Sequence, residues 1–269
     1  MSAQTLFFAL FGWLAGVLIN HAADLLPRQV RLGTAPVCPK CGMLRPSLAW
    51  SAVLGYLSDR RLCLGCGAPL PFRNIVVELV TPAIFVGLLW RYGLSVHLGL
   101  LCLYSVVLIL VTITDLEHQL IQHAVMLPAL TIALVGAFFN AELSARRVLL
   151  GGAVGLVCLY AMYLAAQPVS RLMGRLARRP VSEVPFGFGD VTLGAFVGLI
   201  TGLPGVLIAL FITVLSAGVV AALFLLVRAL ILRRYTPFAV MPYGPFLALG
   251  GFIGMVYSAQ IMLLTSPKG

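Results

Sequence analysis

The sequence predicts an all-α integral membrane protein of about eight transmembrane helices with a cysteine-rich polar loop near its start. Three observations lead there. Hydrophobic residues make up 61% of the 269 positions and charged residues only 10%, with a mean hydropathy of +1.06, outside the range of ordinary soluble domains. The apolar residues gather into stretches of about 20, the length that crosses about 30 Å of hydrocarbon. Four of the six cysteines fall as two CxxC pairs in one interval between such stretches.

The apolar spans run over 4–26, 74–92, 95–115, 121–139, 147–166, 190–203, 205–227 and 245–264. The sixth is short and carries Gly194 and Gly198, so a tilted, re-entrant or helix-buried segment is expected there and the count lies between seven and nine. No basic residue precedes the first span and no small-residue cleavage site closes it, which reads as a retained span rather than a removed signal peptide.

Basic residues set the orientation. Arg28, Arg31, Lys40, Arg45, Arg60, Arg61 and Arg73 follow the first span, Arg171, Arg175, Arg178 and Arg179 the fifth, and Arg228, Arg233 and Arg234 the seventh. These are 14 of the 18 Lys and Arg residues, and the positive-inside bias puts their loops in the cytoplasm and the amino terminus outside. The net charge of +10 does not indicate nucleic acid, because it sits in short juxtamembrane loops without an aromatic-interleaved basic segment; attraction to anionic lipid headgroups accounts for it.

Cys38-Pro39-Lys40-Cys41 and Cys63-Leu64-Gly65-Cys66 are separated by 21 residues, the spacing of a zinc ribbon. Four thiolates close a tetrahedral shell with no position left for water, so the metal would fold the loop rather than catalyse. The alternative, two disulfides, conflicts with a reducing compartment. Cys102 and Cys158 lie in apolar spans and read as small buried hydrophobes.

Among only eight acidic residues, Asp115 and Asp190 stand at membrane depth, at the cytoplasmic ends of the third and sixth spans. Paired carboxylates suit peptide hydrolysis, since one can deprotonate water while its protonated partner polarises the carbonyl. The glycines of Gly187-Phe188-Gly189-Asp190 permit close backbone approach. The plainer readings are that Asp190 caps a helix and Asp115 is solvated. Glu117, His118 and His123 are expected to be solvated loop residues, and His21 and Asp24 stand near the inner end of the first span without an assigned partner.

The arrangement resembles the type IV prepilin peptidases, or leader peptidase/N-methyltransferases, aspartic proteases of the GxGD class. Gly16-Val17-Leu18-Ile19-Asn20 with Leu26-Pro27, the two CxxC pairs, Arg73 with Glu78, Asp115-Leu116-Glu117-His118-Gln119-Leu120-Ile121, Gly187-Phe188-Gly189-Asp190-Val191 and Pro242-Tyr243-Gly244-Pro245-Phe246-Leu247-Ala248 follow that family's motifs along most of the chain. Departures are Val17 and Leu25 in place of Ser and Arg, Asn74 and Ile75 in place of Tyr and Pro, Gln122-His123 in place of Pro-Asp, and Thr192 in place of Lys.

The resemblance implies Asp115 and Asp190 as catalytic residues and, as substrates, prepilin or pseudopilin-like proteins of type IV pili or type II secretion. Such substrates carry a short basic leader before a hydrophobic helix. It further implies N-methylation of the new amino terminus from S-adenosylmethionine, with Glu78 as the candidate methyltransferase residue. Residues 1–92 would form the candidate methyltransferase region and 93–269 the polytopic peptidase domain. Structural zinc would sit on Cys38, Cys41, Cys63 and Cys66, and the chain would lie in the bacterial plasma (inner) membrane with its active site cytoplasmic. A presenilin-like protease is a weaker match, because Thr114 stands where a Tyr usually precedes the first Asp. A transporter reading lacks an inverted repeat.

Overall fold

The computed structural model describes residues 2–38, 40–58, 60–140, 143–177, 186–228, 230 and 242–265. Among them the chain is helical, and the extended pairings are two isolated antiparallel bridges, Val37 with Leu44 and Leu62 with Pro69. Five helical segments are long and apolar enough to cross a membrane, and three more apolar helices are shorter. The chain divides into two compact units, Met1–Leu110 and Val111–Gly269.

The first unit holds α1 (Ala3–Leu25), α2 (Ala52–Leu57), α3 (Phe72–Tyr92) and most of α4 (Val96–His118). Ser2 caps α1 by accepting from the Thr5 N–H. Helices α1 and α3 pack backbone to backbone because Gly12 and Gly16 leave room. A Cβ at Gly12 would stand 2.6 Å from Pro82 Cα, and one at Gly16 3.0 Å from Glu78 Cα. Small residues spaced by four are the usual means of close helix contact in lipid. The other face of α1 exposes Phe7, Phe11, Leu14 and Leu18, as a lipid-facing surface should.

The second unit holds the end of α4 and α5 (His123–Gly136), α6 (Ala145–Ala177), α7 (Phe188–Thr201), α8 (Gly205–Val227), α9 (Gly244–Val256) and α10 (Ser258–Thr265). At its centre is α7, packed against α5, α6, α8 and α9 and buried at Val191 and from Leu193 through Thr201. Its 14 residues rise only about 21 Å at about 1.5 Å each. Gly194 and Gly198, expected to interrupt this span, instead dock it. They meet Gly151 and Gly155 of α6 so closely that a Cβ at any of the four would strike the facing helix. In contrast, α8 turns Leu207, Phe211, Leu215 and Val219 outward.

Four sequence boundaries shift. The fifth span continues as a 33-residue helix, so the backbones of Arg171 and Arg175 belong to α6 rather than to a loop, whereas Arg178, Arg179, Arg233 and Arg234 lie outside the described residues. The fourth contracts to His123–Gly136. The last is two helices broken at Tyr257. The third extends three residues past Asp115 and stops where Gln119 takes a positive φ of 51°. Cys158 is half-buried rather than buried.

Candidate functional site

Asp115 lies in the last turn of α4, buried to 6% exposure. Its Oδ2 accepts from the Gly244 N–H at 2.9 Å, which joins α4 to the start of α9. A Cβ on Gly244 would lie 2.6 Å from that oxygen, so only glycine lets the backbone donor reach the carboxylate. Asp190 is the third residue of α7, and its Oδ2 accepts from the Gly187 N–H at 3.1 Å. The helix-cap expectation is therefore met in part: Asp190 reaches back over the first turn, while Gly187 holds the cap position.

The two carboxylates come together through Gly189. Its missing side chain lets α7 sit on Ile121, whose Cβ would be 2.6 Å from a Cβ at Gly189. Ile121 belongs to the segment that follows Asp115, so this contact brings the two motifs side by side, and the charge of Asp115 acts on Asp190. Among the described residues each aspartate receives one hydrogen bond, leaving oxygens available for water or substrate. Thr192, the residue at the family's Lys position, bonds back to the Gly189 carbonyl at 2.8 Å.

Around the pair stand aromatic rings. The His123 ring meets Phe188 edge-on at 5.9 Å, and Tyr163 meets the same Phe188 at 6.1 Å. His123 is exposed, as are Glu117 and His118, but its ring also touches the GxGD segment. Tyr243, beside Gly244, packs on Phe186 at 5.6 Å, and its Oη is buried without a hydrogen-bond partner among the described residues. The sequence had marked the segment from Pro242 to Gly250 by resemblance but gave it no chemistry; its backbone donor to Asp115 depends on a contact across 129 residues.

In the first unit the two CxxC pairs form matching turns. Cys38 N–H donates to Met43 O and Gly42 N–H to Cys38 O, as Cys63 N–H does to Ala68 O and Gly67 N–H to Cys63 O. Gly42 and Gly67 supply the positive φ values of 72° and 66° that the turns need. All four sulfurs lie within 4.8 Å of one another, with Cys38 to Cys66 at 3.6 Å and Cys41 to Cys63 at 3.5 Å. Sulfurs about 2.3 Å from a tetrahedral zinc are about 3.8 Å apart, so the cluster fits that ion and the cysteines are not disulfide-bonded. Backbone N–H groups of Cys41 and Lys40 hold the Cys38 thiol down to about 6, which favours the thiolate a metal requires.

Glu78, on α3, is 1% exposed. Its Oε1 accepts from Ala52 N–H at 2.7 Å and Asn20 Nδ2 at 3.5 Å; its Oε2 accepts from Ser51 Oγ at 2.5 Å, Val53 N–H at 3.0 Å and Trp13 Nε1 at 3.3 Å. The carboxylate therefore ties the start of α2 to α1 and α3. Asp24, unassigned in sequence, pairs with Arg73 at 2.6 Å, and His21 Nε2 contacts Leu32 O at 3.1 Å.

Comparison with known proteins adds independent findings. The model of the type IV leader peptidase family matches residues 102–222, and that of the bacterial peptidase A24 N-terminal domain matches residues 10–92. A prepilin leader peptidase/N-methyltransferase of Dichelobacter nodosus is 30% identical over 83% of this chain and 71% of its own length. Proteins of the same name from Pseudomonas aeruginosa and Bacillus subtilis are each 26% identical over 94% of this chain, covering 90% and 94% of their own lengths. No solved structure matches.

Proposed function

Because the chain belongs to the type IV leader peptidase family, we propose that it is a membrane aspartic endopeptidase that removes basic leaders from prepilin or pseudopilin-like proteins and methylates the new amino terminus. The observation that carries the peptidase reading is the pair of sparsely hydrogen-bonded carboxylates, Asp115 buried and Asp190 half-buried, near enough for the charge of Asp115 to act on Asp190. One takes a proton from water, whose oxygen adds to the scissile carbonyl carbon. The other gives its proton to the carbonyl oxygen. Collapse of the tetrahedral intermediate then breaks the C–N bond, and the leaving amine takes a proton from the pair. The roles alternate within a coupled pair and belong to both residues.

The charge bias supports a plasma-membrane protein of eight spans with these carboxylates and the cysteine loop on the cytoplasmic side, where prepilin leaders reside. Residues 1–92 then serve the methyl transfer and residues 93–269 the hydrolysis. The sulfur geometry supports structural zinc on Cys38, Cys41, Cys63 and Cys66, a scaffold for the loop with no part in the bond cleavage.

S-adenosylmethionine supplies the methyl group in this reading. Glu78 does not fit a direct role toward that donor, because both its oxygens are already occupied by groups of the first unit. Its part is to position the segment from Ser51 to Val53.

Co-expression with a leader-bearing prepilin tests the proposal. The expected product has lost its leader and, with S-adenosylmethionine available, gained one methyl group by mass spectrometry. A leader left intact by membrane-inserted protein overturns the peptidase reading; a shortened but unmethylated product overturns only the second activity.

A further inference from the structure

Tyr243 immediately precedes Gly244, whose N–H holds Asp115 Oδ2 at 2.9 Å, so its backbone adjoins the residue that binds the first carboxylate. Its ring rests 5.6 Å from that of Phe186, in the segment leading to Asp190, and the charge of Asp190 acts on it. The side chain therefore belongs to both aspartate-bearing segments. Its Oη is buried and has no hydrogen-bond partner among the described residues. A buried hydroxyl left unmatched is destabilising, and a ring needed only for packing would be better without it.

We infer that the Tyr243 hydroxyl is a third functional group of the aspartate site, donating a hydrogen bond to the scissile carbonyl oxygen as it becomes tetrahedral. The inference rests on the aspartic reading above. No proton leaves the phenol: the aspartate pair makes both proton transfers, and the O–H dipole stabilises charge developing on the oxygen. A donor aimed at charge that grows in the transition state raises kcat rather than tightening substrate binding.

Tyr243→Phe keeps the ring and removes the one atom at issue. Its expected result is a kcat lower by about 100-fold with KM essentially that of the unmutated enzyme. Affinity for a leader peptide carrying a hydroxyl-bearing transition-state mimic at the scissile bond should fall by the same factor, with unaltered membrane insertion and thermal stability the same or higher. Unchanged kcat and mimic affinity, beside inactive Asp115→Asn and Asp190→Asn enzymes, overturn the inference and leave the aspartic mechanism standing. A raised KM at constant kcat overturns it too, because the hydroxyl then serves ground-state binding. Active Asp→Asn enzymes remove the reading and the inference together.

Discussion

Two sets of helix-borne carboxylates in this molecule, Glu78 on one side and Asp115 with the half-buried Asp190 on the other, are treated in opposite ways. Glu78 accepts from five donors spread over both oxygens, whereas Asp115 and Asp190 each accept from one backbone N–H among the described residues. A carboxylate whose lone pairs are all engaged cannot take a proton without breaking those bonds, so its contribution is structural. One held by a single donor is oriented yet still free to bind water. Membrane depth alone did not distinguish them; the number of donors does.

The comparison breaks most decisively at the aspartates. Asp115→Asn and Asp190→Asn preserve shape but remove the proton chemistry, so each should lower leader cleavage by about 100- to 10,000-fold in a prepilin assay while the protein reaches the membrane at normal levels. If these residues only cap helices, near-normal cleavage will be measured. Gly244→Ala should reduce cleavage by about 10- to 100-fold, because its Cβ would meet Asp115 Oδ2 at 2.6 Å and a displaced reacting group loses that much.

At Glu78 the damage should be mainly to folding. Glu78→Gln puts an amide N–H₂ against donors, which at about 1–3 kcal/mol per unsatisfied buried group should loosen the Ser51–Val53 segment and abolish methyl transfer. Limited proteolysis reads the loosening, and cleavage per folded molecule should remain within about threefold. Loss of methylation with an intact, protected loop would assign Glu78 to the chemistry instead. The smallest effect on cleavage should come from Cys38→Ser, which lowers the zinc content measured by elemental analysis well below about one ion per chain. Full loading in that variant would remove Cys38 from the ligand set.

The helical fold and the clustering of the four cysteines were legible because each depends on local pattern: long apolar runs and CxxC spacing. Contacts made across the chain were not. Gly194 and Gly198 read as interruptions of a span until the facing Gly151 and Gly155 supplied the reason for them. Tyr243 and Gly244 carried a motif, yet their role depends on Asp115, 128 and 129 positions earlier in the chain. Glu78 was singled out by resemblance as a candidate methyltransferase residue, whereas its five donors, three side chains and two main-chain N–H groups, come from Trp13, Asn20 and Ser51–Val53, positions far from it in the sequence.

The glycine crossing of α6 and α7 bears on how genetic data for such an enzyme should be interpreted. A screen for lost pilin processing would return substitutions at Gly151, Gly155, Gly194 and Gly198 beside those at the aspartates, since any side chain there forces the two backbones apart and costs about 1–3 kcal/mol. Grouped by phenotype, these glycines would pass for parts of the catalytic machinery. Grouped by the amount of enzyme surviving in the membrane, they fall into a separate class, of variants removed by quality control before their chemistry is ever tried.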